Sequence, residues 1–326
     1  MADAGRLKQV NMTLIREAMR GGGEHSKNEL ARRTGLSFPT VSRIVDDLVE
    51  AGEAKETGTA ASTGGRCAKQ YALDPAYRLF LCLRLEGRRL SWFVCDLNGT
   101  RLEQEETEST NGILHDIDTL AMRVKARYPQ LAAAAMGYDG PLQNGVAAGS
   151  VSHPELRGVS LQAHLEHSFG LPVAVERDMY LVSVGCCCRR KQAPKALVCV
   201  YLGRSGIGAG AAIGGKAFHG ANGFAGELHY LPIKNNLEYA KSHFAGADMV
   251  AYYMQVIRAY AALLNPDRVV LYDDPLIFGK VERIRNACAQ TLPPQALPVI
   301  ELSREFTQDY EAGLCALALG LVEERL

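Results

Sequence analysis

Along the first seventy residues the apolar positions recur at helical spacing, interrupted by short polar and glycine-rich breaks. Leu14, Ile15, Ala18 and Met19 predict one helix with a common buried face, ending at Gly21-Gly22-Gly23. A second helix is predicted from Ser26, because Ser26 and Glu29 stand at capping-box spacing, and Leu30 and Ala31 supply its inner face. Thr34-Gly35-Leu36 then reads as a tight turn whose glycine is free to take positive φ. Ser37 caps a third helix, with Pro39 in its first turn, where a missing N–H costs nothing. Within it Val41, Ile44, Val45 and Leu48 repeat at i, i+3, i+4 and i+7, a core stripe. Residues 53–73 alternate as two short strands around a flexible loop.

Helix, glycine turn, helix is the pattern of a helix-turn-helix, and the outer face decides its use. With the stripe buried, Thr40, Ser42 and Arg43 face outward beside Ser37 and Pro39. Short hydrogen-bonding groups with one arginine suit base edges and phosphates in a major groove. Asp46, Asp47 and Glu50 fall further along, where such a helix leaves the DNA. The other reading is a helical hairpin packed on a partner protein. On the loop between the strands, the wing, Arg66 and Lys69 suit a phosphate backbone or narrow minor groove, or else are incidental charges on a solvated loop.

From about residue 78 strands and helices alternate. LFLCLRLEGRRLSWFVCDLNGTRLEQEE predicts two strands joined by a tight turn and a third edge. Helices are predicted over 112–128, 245–264 and 307–325, and strands in AAAAMGYDGPL, LPVAVERDMY, ALVCVYLGRSGIGAG and DRVVLYDD. This is an α/β domain built as two lobes. The stretch GRSGIGAGAAIGG at 203–215 follows a strand, as a phosphate-cradling loop does, although one glycine loop is a weak sign of a nucleotide.

Composition changes this picture little. With 47% apolar residues in 326, a disordered or fibrous chain is excluded and two or three cores are affordable. The net charge of zero excludes neither DNA nor small molecules, because a local basic face suffices. MADAGRLKQV has no apolar signal segment, and no later run approaches a membrane span, so a cytoplasmic protein without a membrane partner is expected. The nine cysteines include no CxxC pair, and the adjacent Cys186, Cys187 and Cys188 point in different directions, so no metal site is expected.

Taken in order, the helix-turn-helix, STGGR, DLNGT, GLPVAVERD, GIGAG, GFAGELHYLPI and NPDRVVLYDD resemble the ROK family (repressor, open reading frame, kinase), whose regulators include the xylose and N-acetylglucosamine repressors. The resemblance implies an actin-like (ribonuclease H-like) two-lobed sugar-kinase-type α/β domain over 74–326, behind a winged helix-turn-helix over 1–73. It also implies a dimer or tetramer whose grip on a double-stranded DNA operator is controlled by a sugar, sugar acid or sugar phosphate in the cleft between lobes.

Against the family pattern the ATP parts depart. The first phosphate loop, Asp-x-Gly-Gly-Thr in the family, falls on Arg84, Glu86, Gly87 and Arg88, placing a cation where a metal-orienting carboxylate belongs and a carboxylate where phosphates pass. The adenosine turn falls on Leu271-Tyr272-Asp273-Asp274, bulky and acidic instead of bare glycine. At the family's zinc site Tyr230 takes the histidine position, with His229 one residue early, and no cysteine lies between Cys199 and Cys288. No ATP, magnesium or zinc cofactor is therefore expected, no catalysis is expected, and hydrogen bonds around Tyr230 are expected to order that region instead. The resemblance assigns sugar contacts to Asp178, Glu227 and Glu238, which otherwise cap helices or pair with Arg177 and Arg204, and Tyr230 is expected with them among the ligand-binding residues. Arg177 replaces a neutral amide. Either it favours an anionic ligand through a bidentate contact, or it neutralises Asp178.

Overall fold

A computed structural model describes residues 2–19, 23–59, 68–109, 112–143, 145–149, 153–203, 206–233 and 249–323, with 2–6 described by backbone alone. Two compact units emerge: Met1–Leu79 with Cys95–Leu102, and Phe80–Val94 with Glu103–Leu326.

The first unit holds α1 (Ala2–Met19), β1 (His25–Ser26), α2 (Lys27–Thr34), α3 (Phe38–Glu50), β2 (Ala54–Thr59) and β3 (Lys69–Leu73). The strands form an antiparallel sheet with β3 in the centre. Local chemistry sets the boundaries. Ser26 Oγ accepts the Glu29 N–H at 3.2 Å, Gly35 closes α2 at φ 71°, and Ser37 Oγ accepts the Thr40 N–H at 3.4 Å. Val41, Ile44, Val45 and Leu48 pack with Leu30, Ile15, Met19, Ala54 and Tyr71, each large aliphatic contributing about 1.5–3 kcal/mol by burial. Leu14 departs from the predicted stripe and is 37% exposed. Successive helix residues are turned by about 100°, so the face that buries Ile15 and Met19 turns Leu14 away. The polar Arg16 is buried beside them because its guanidinium forks onto Glu53, at 2.5 and 2.8 Å.

The second unit begins with β4 (Leu79–Glu86), β5 (Arg89–Asp96), β6 (Arg101–Glu108), α4 (Ile113–Arg127) and β7 (Leu131–Tyr138). A small pair, β8 (Leu142–Gln143) and β9 (Val146–Ala147), precedes α5 (Leu161–Phe169) and β10 (Val173–Arg177). The sheet order is β10-β7-β4-β5-β6, with β10 parallel to β7. Then come α6 (Asp178–Cys188), β11 (Ala196–Gly203), β12 (Gly206–Ile213), β13 (Lys216–Ala217), α7 (Met249–Leu263), β14 (Arg268–Tyr272), α8 (Val281–Thr291), β15 (Val299–Ser303) and α9 (Phe306–Glu323). Their sheet runs β13-β12-β11-β14-β15, with β11, β14 and β15 parallel. Two sheets of α/β type are the expected two lobes.

Between the sheets α6 and α9 cross in backbone contact. A Cβ at Gly185 would stand 1.8 Å from the Asp309 carbonyl, and one at Gly313 would stand 2.0 Å from the Leu181 carbonyl. The same device explains GIGAG. Gly206, Gly208 and Gly210 lie inside β12, and a Cβ at Gly210 would meet the Met179 carbonyl at 1.8 Å. Gly208 and Gly210 press the strand onto the start of α6, Gly206 pairs with Gly203 where β11 passes into β12, and Gly214-Gly215 make the next turn at φ 58° and 77°.

Candidate functional site

On the helix-turn-helix, the residues expected at the major groove divide by environment. Pro39 and Arg43 are exposed, and Arg43 makes no hydrogen bond or ion pair with a described residue. Ser37 and Thr40 join their hydroxyls at 2.8 Å over the helix start. Ser42 is also tied down. It is half-buried, accepts from Lys27 Nζ at 3.0 Å and donates to Asp46 at 3.4 Å. Lys27 also binds Asp46 at 2.6 Å and lies over the Tyr71 ring at 5.3 Å, so this α2 side chain holds the outer face of α3 in place. Phe38, 48% exposed, together with Arg32 and Arg33, adds to the accessible face without having been singled out in sequence. On the wing Lys69 is exposed and pairs with Glu56 at 2.8 Å, a hydrogen bond that raises its pKa. Arg66 lies outside the described residues.

The second unit carries a cleft of about 340 Å³, within the range of small-molecule pockets. Its wall is set by chain geometry: Arg177 ends β10, Asp178 begins α6, and Glu227 precedes a short turn at Leu228–Tyr230. Arg177 is buried and fully engaged. Its Nη2 donates to Glu227 Oε1, and its Nη1 to the Gly223 carbonyl at 3.0 Å and Tyr180 Oη at 3.3 Å, with the guanidinium 4.9 Å from the Tyr180 ring centroid. The pairing of Glu227 with Arg177, one of the readings left open in the sequence, is present; Arg177 also lines the cleft, and its charge acts on Asp178. The other Glu227 oxygen lies 3.2 Å from His229 Nε2.

Asp178 opens onto the cleft, and burial of its carboxyl pushes the pKa up to about 7. The Met179 N–H, 2.6 Å away, and Arg177 oppose that rise, whereas Asp139 and Glu86 add to it. Tyr230 is a further correction. It is 63% exposed, does not line the cleft, and packs its ring against Phe224 and His229, each at 4.9 Å. His229 lines the cleft in its place. Glu238 lies outside the described residues. Sequence reasoning missed Asp139 and Tyr310 as wall residues. Asp139 stood at the C-terminal end of a predicted strand, the usual place for a site in an α/β sheet, whereas Tyr310 comes from the closing helix and gave no local signal.

At the β4–β5 turn the backbone N–H that could meet a phosphate is taken, and the carbonyl beside it is also engaged. The Gly87 N–H donates to Asp139 at 2.8 Å, and the Gly87 carbonyl accepts from His153 Nε2 at 2.6 Å. Arg88 donates to the Ser109 carbonyl at 3.2 and 2.8 Å, and Arg84 lies 5.9 Å from the Tyr310 ring centroid and 3.8 Å from Glu106. Across the cleft Tyr272 is buried and donates to Asp309 at 2.6 Å, Asp273 accepts from Arg304 at 2.9 Å, and Asp274 accepts the Leu276 N–H at 2.7 Å. Among the described residues no group of three His, Cys, Asp or Glu could hold a metal ion, and no helix is long and apolar enough to cross a membrane.

Residues 80–243 match the ROK family, and residues 15–52 match a winged helix-turn-helix DNA-binding family. The chain is similar to the xylose repressor of Caldicellulosiruptor bescii, 24% identical over 243 residues, covering 70% of this chain and 59% of that protein. It is also similar to a transcriptional regulator of Mycobacterium tuberculosis, 26% identical over 234 residues, covering 68% of this chain and 52% of the relative. The chain thus spans between half and three fifths of these relatives' length. Among solved structures, a ROK family transcriptional regulator homologous to the E. coli MLC protein shares the fold over 98% of both chains, at 16% identity and TM-score 0.68. A ROK family glucokinase from Streptomyces griseus, bound to glucose and AMPPNP, aligns over 74% of this chain and 99% of its own, at 16% identity and TM-score 0.55.

Proposed function

Because this chain belongs to the ROK family, we propose that it is a transcriptional repressor whose sugar-kinase-like unit senses a sugar or sugar derivative and transfers no phosphoryl group. The observation that carries this reading is the turn at Gly87, whose N–H and carbonyl are already held by Asp139 and His153. A phosphate arriving there meets the Glu86 and Asp139 carboxylates instead of free donors. Tyr272, Asp273 and Asp274 support the same reading, since each is tied into the surrounding fold where an adenine would need open backbone. On this reading the described residues do not fit ATP, magnesium or zinc.

In this proposal the protein acts in the cytoplasm as a dimer or tetramer on a palindromic operator. Arg43, Pro39, Ser37 and Thr40 face the major groove, Lys69 and Arg66 lie along the phosphates, and Asp178, Glu227 and His229 bind ligand hydroxyls. The ligand acts by binding one arrangement of the lobes more tightly than the other.

The test is fluorescence anisotropy on the DNA upstream of the protein's own gene, at stated salt, with and without a panel of sugars. Xylose belongs in the panel because one relative is named a xylose repressor. Specific binding that Arg43→Ala weakens by about 1–3 kcal/mol and that a sugar modulates is expected. A parallel ADP-release assay is expected to show no turnover. Sugar-dependent release that Asp178→Asn abolishes would overturn the non-enzymatic half of the reading, and absence of specific DNA binding would overturn the other.

A further inference from the structure

We propose that Tyr310 is a specificity-determining residue of the effector site, its hydroxyl donating a hydrogen bond to one hydroxyl of the sugar in the cleft. The inference rests on the sugar-sensing reading above and adds a residue that selects the ligand by one particular hydroxyl group.

The first support is a buried hydroxyl without a partner. Tyr310 is 1% exposed and lines the cleft, and its Oη makes no hydrogen bond with a described residue. Two other buried tyrosines of this unit are matched: Tyr272 donates to Asp309 at 2.6 Å, and Tyr180 to the Ala225 carbonyl at 2.7 Å. A phenyl ring would fill the place of Tyr310 without leaving a donor unmatched. What sets Tyr310 apart from Tyr253, whose hydroxyl is also unmatched, is its place in the cleft wall. The chain also makes room for the oxygen, since a Cβ at Gly137 would stand 2.2 Å from Oη.

The second support is the chemistry of the wall. A sugar hydroxyl donates one hydrogen bond and accepts two. Glu86, Asp139, Asp178 and Glu227 line the cleft and bring acceptors. Donors for the ligand's oxygens are scarcer. Arg177 sends its Nη groups to Glu227, Gly223 and Tyr180, and His229 stands 3.2 Å from Glu227. Tyr310 supplies a donor, because burial and the nearby Asp178 and Asp139 carboxylates hold its pKa well above the usual tyrosine value and keep the proton on the oxygen. Asp178 acts on this hydroxyl more strongly than any other charge, which places it near the carboxylate expected to hold the sugar.

The helix adds a third support. Phe306, one turn before Tyr310 on α9, also lines the cleft and stacks on Tyr201 at 3.9 Å between centroids. One face of α9 thus offers an aromatic surface for the CH groups of a sugar ring and a hydroxyl for its oxygen. The backbone contact of Gly313 with Leu181 fixes that face before any ligand arrives.

The experiment is isothermal calorimetry on the full chain with glucose, mannose, galactose, xylose and N-acetylglucosamine, then with each monodeoxy analogue of the tightest binder, for wild type and Tyr310→Phe. Removing one particular hydroxyl from the sugar is expected to cost wild type about tenfold in affinity, and Tyr310→Phe to lose about as much with the complete sugar. The analogue lacking that hydroxyl is expected to bind both proteins equally, because the bond is already absent. Urea midpoints are expected to show Tyr310→Phe at least as stable as wild type, since the ring stays and no internal hydrogen bond is lost. Unchanged affinity in Tyr310→Phe, or the same loss with the sugar and with every analogue, overturns the inference and leaves sugar sensing intact. A destabilised Tyr310→Phe overturns it as well, by showing that the hydroxyl has a partner within the protein. No heat and no thermal shift with any sugar overturns sugar sensing itself, and this inference with it.

Discussion

At Asp178 the pKa near 7 has a direct consequence for stability. The unfolded carboxyl titrates near 3.9, so between pH 4 and 7 the folded chain holds a proton that the unfolded chain has lost. Stability through this group falls as pH rises across that window and levels off above 7. Asn cannot ionise, and Asp178→Asn is therefore expected to match wild type near pH 4 and to exceed it at pH 8, by roughly 1–4 kcal/mol at about 1.4 kcal/mol per pKa unit. Urea midpoints at the two pH values check this, and an equal difference at both would refute it. Arg177 illustrates the neighbouring lesson. An anion site, a local pair with Asp178 and a pair with Glu227 were all open in the sequence, and its buried fork closes on Glu227, fifty positions away in the chain.

At the scale of elements the cleft depends on α6, which carries Asp178 and is packed on both sides by glycines of other elements. Gly210 of β12 admits the Met179 carbonyl, and Gly185 and Gly313 let α6 and α9 touch along their backbones. The neighbours of Gly185 are main-chain atoms of Asp309 and Gly313, which cannot rotate away as a side chain would. Gly185→Ala is expected to cost about 3 kcal/mol or more, at the upper end of overpacking, whereas Gly320→Ala in the partner helix α9, with open space around it, is expected to be nearly neutral or stabilising. Denaturant midpoints of the two variants compare them directly; similar losses would contradict the close-packed crossing. In the first unit α1 is fixed differently, by the buried Arg16–Glu53 fork, a pair whose halves are each costly to remove alone.

For the whole molecule, the two compact units each have an apolar core of their own. Scanning calorimetry is expected to resolve two transitions, and Leu48→Ala, which opens a cavity in the first core, should lower one of them by about 2–5 kcal/mol while leaving the other in place. One merged transition that shifts as a whole would contradict this.

The helix-turn-helix was legible almost residue by residue: caps at Ser26 and Ser37, the Gly35 turn and the Val41–Leu48 stripe all depend on contacts a few positions apart. The alternation of strands and helices likewise announced a two-lobed α/β unit. What tertiary structure alone decided was the engagement of polar groups. Ser42 turned to Lys27, Arg177 to Glu227 and Gly87 to Asp139, and Tyr310 reached the cleft from the closing helix. The reason is physical. Caps, turns and periodic stripes follow from backbone geometry within one or two turns of chain. The partner of a buried charge or donor is chosen by whichever distant group the packed fold brings within about 3 Å, and no local spacing encodes that distance.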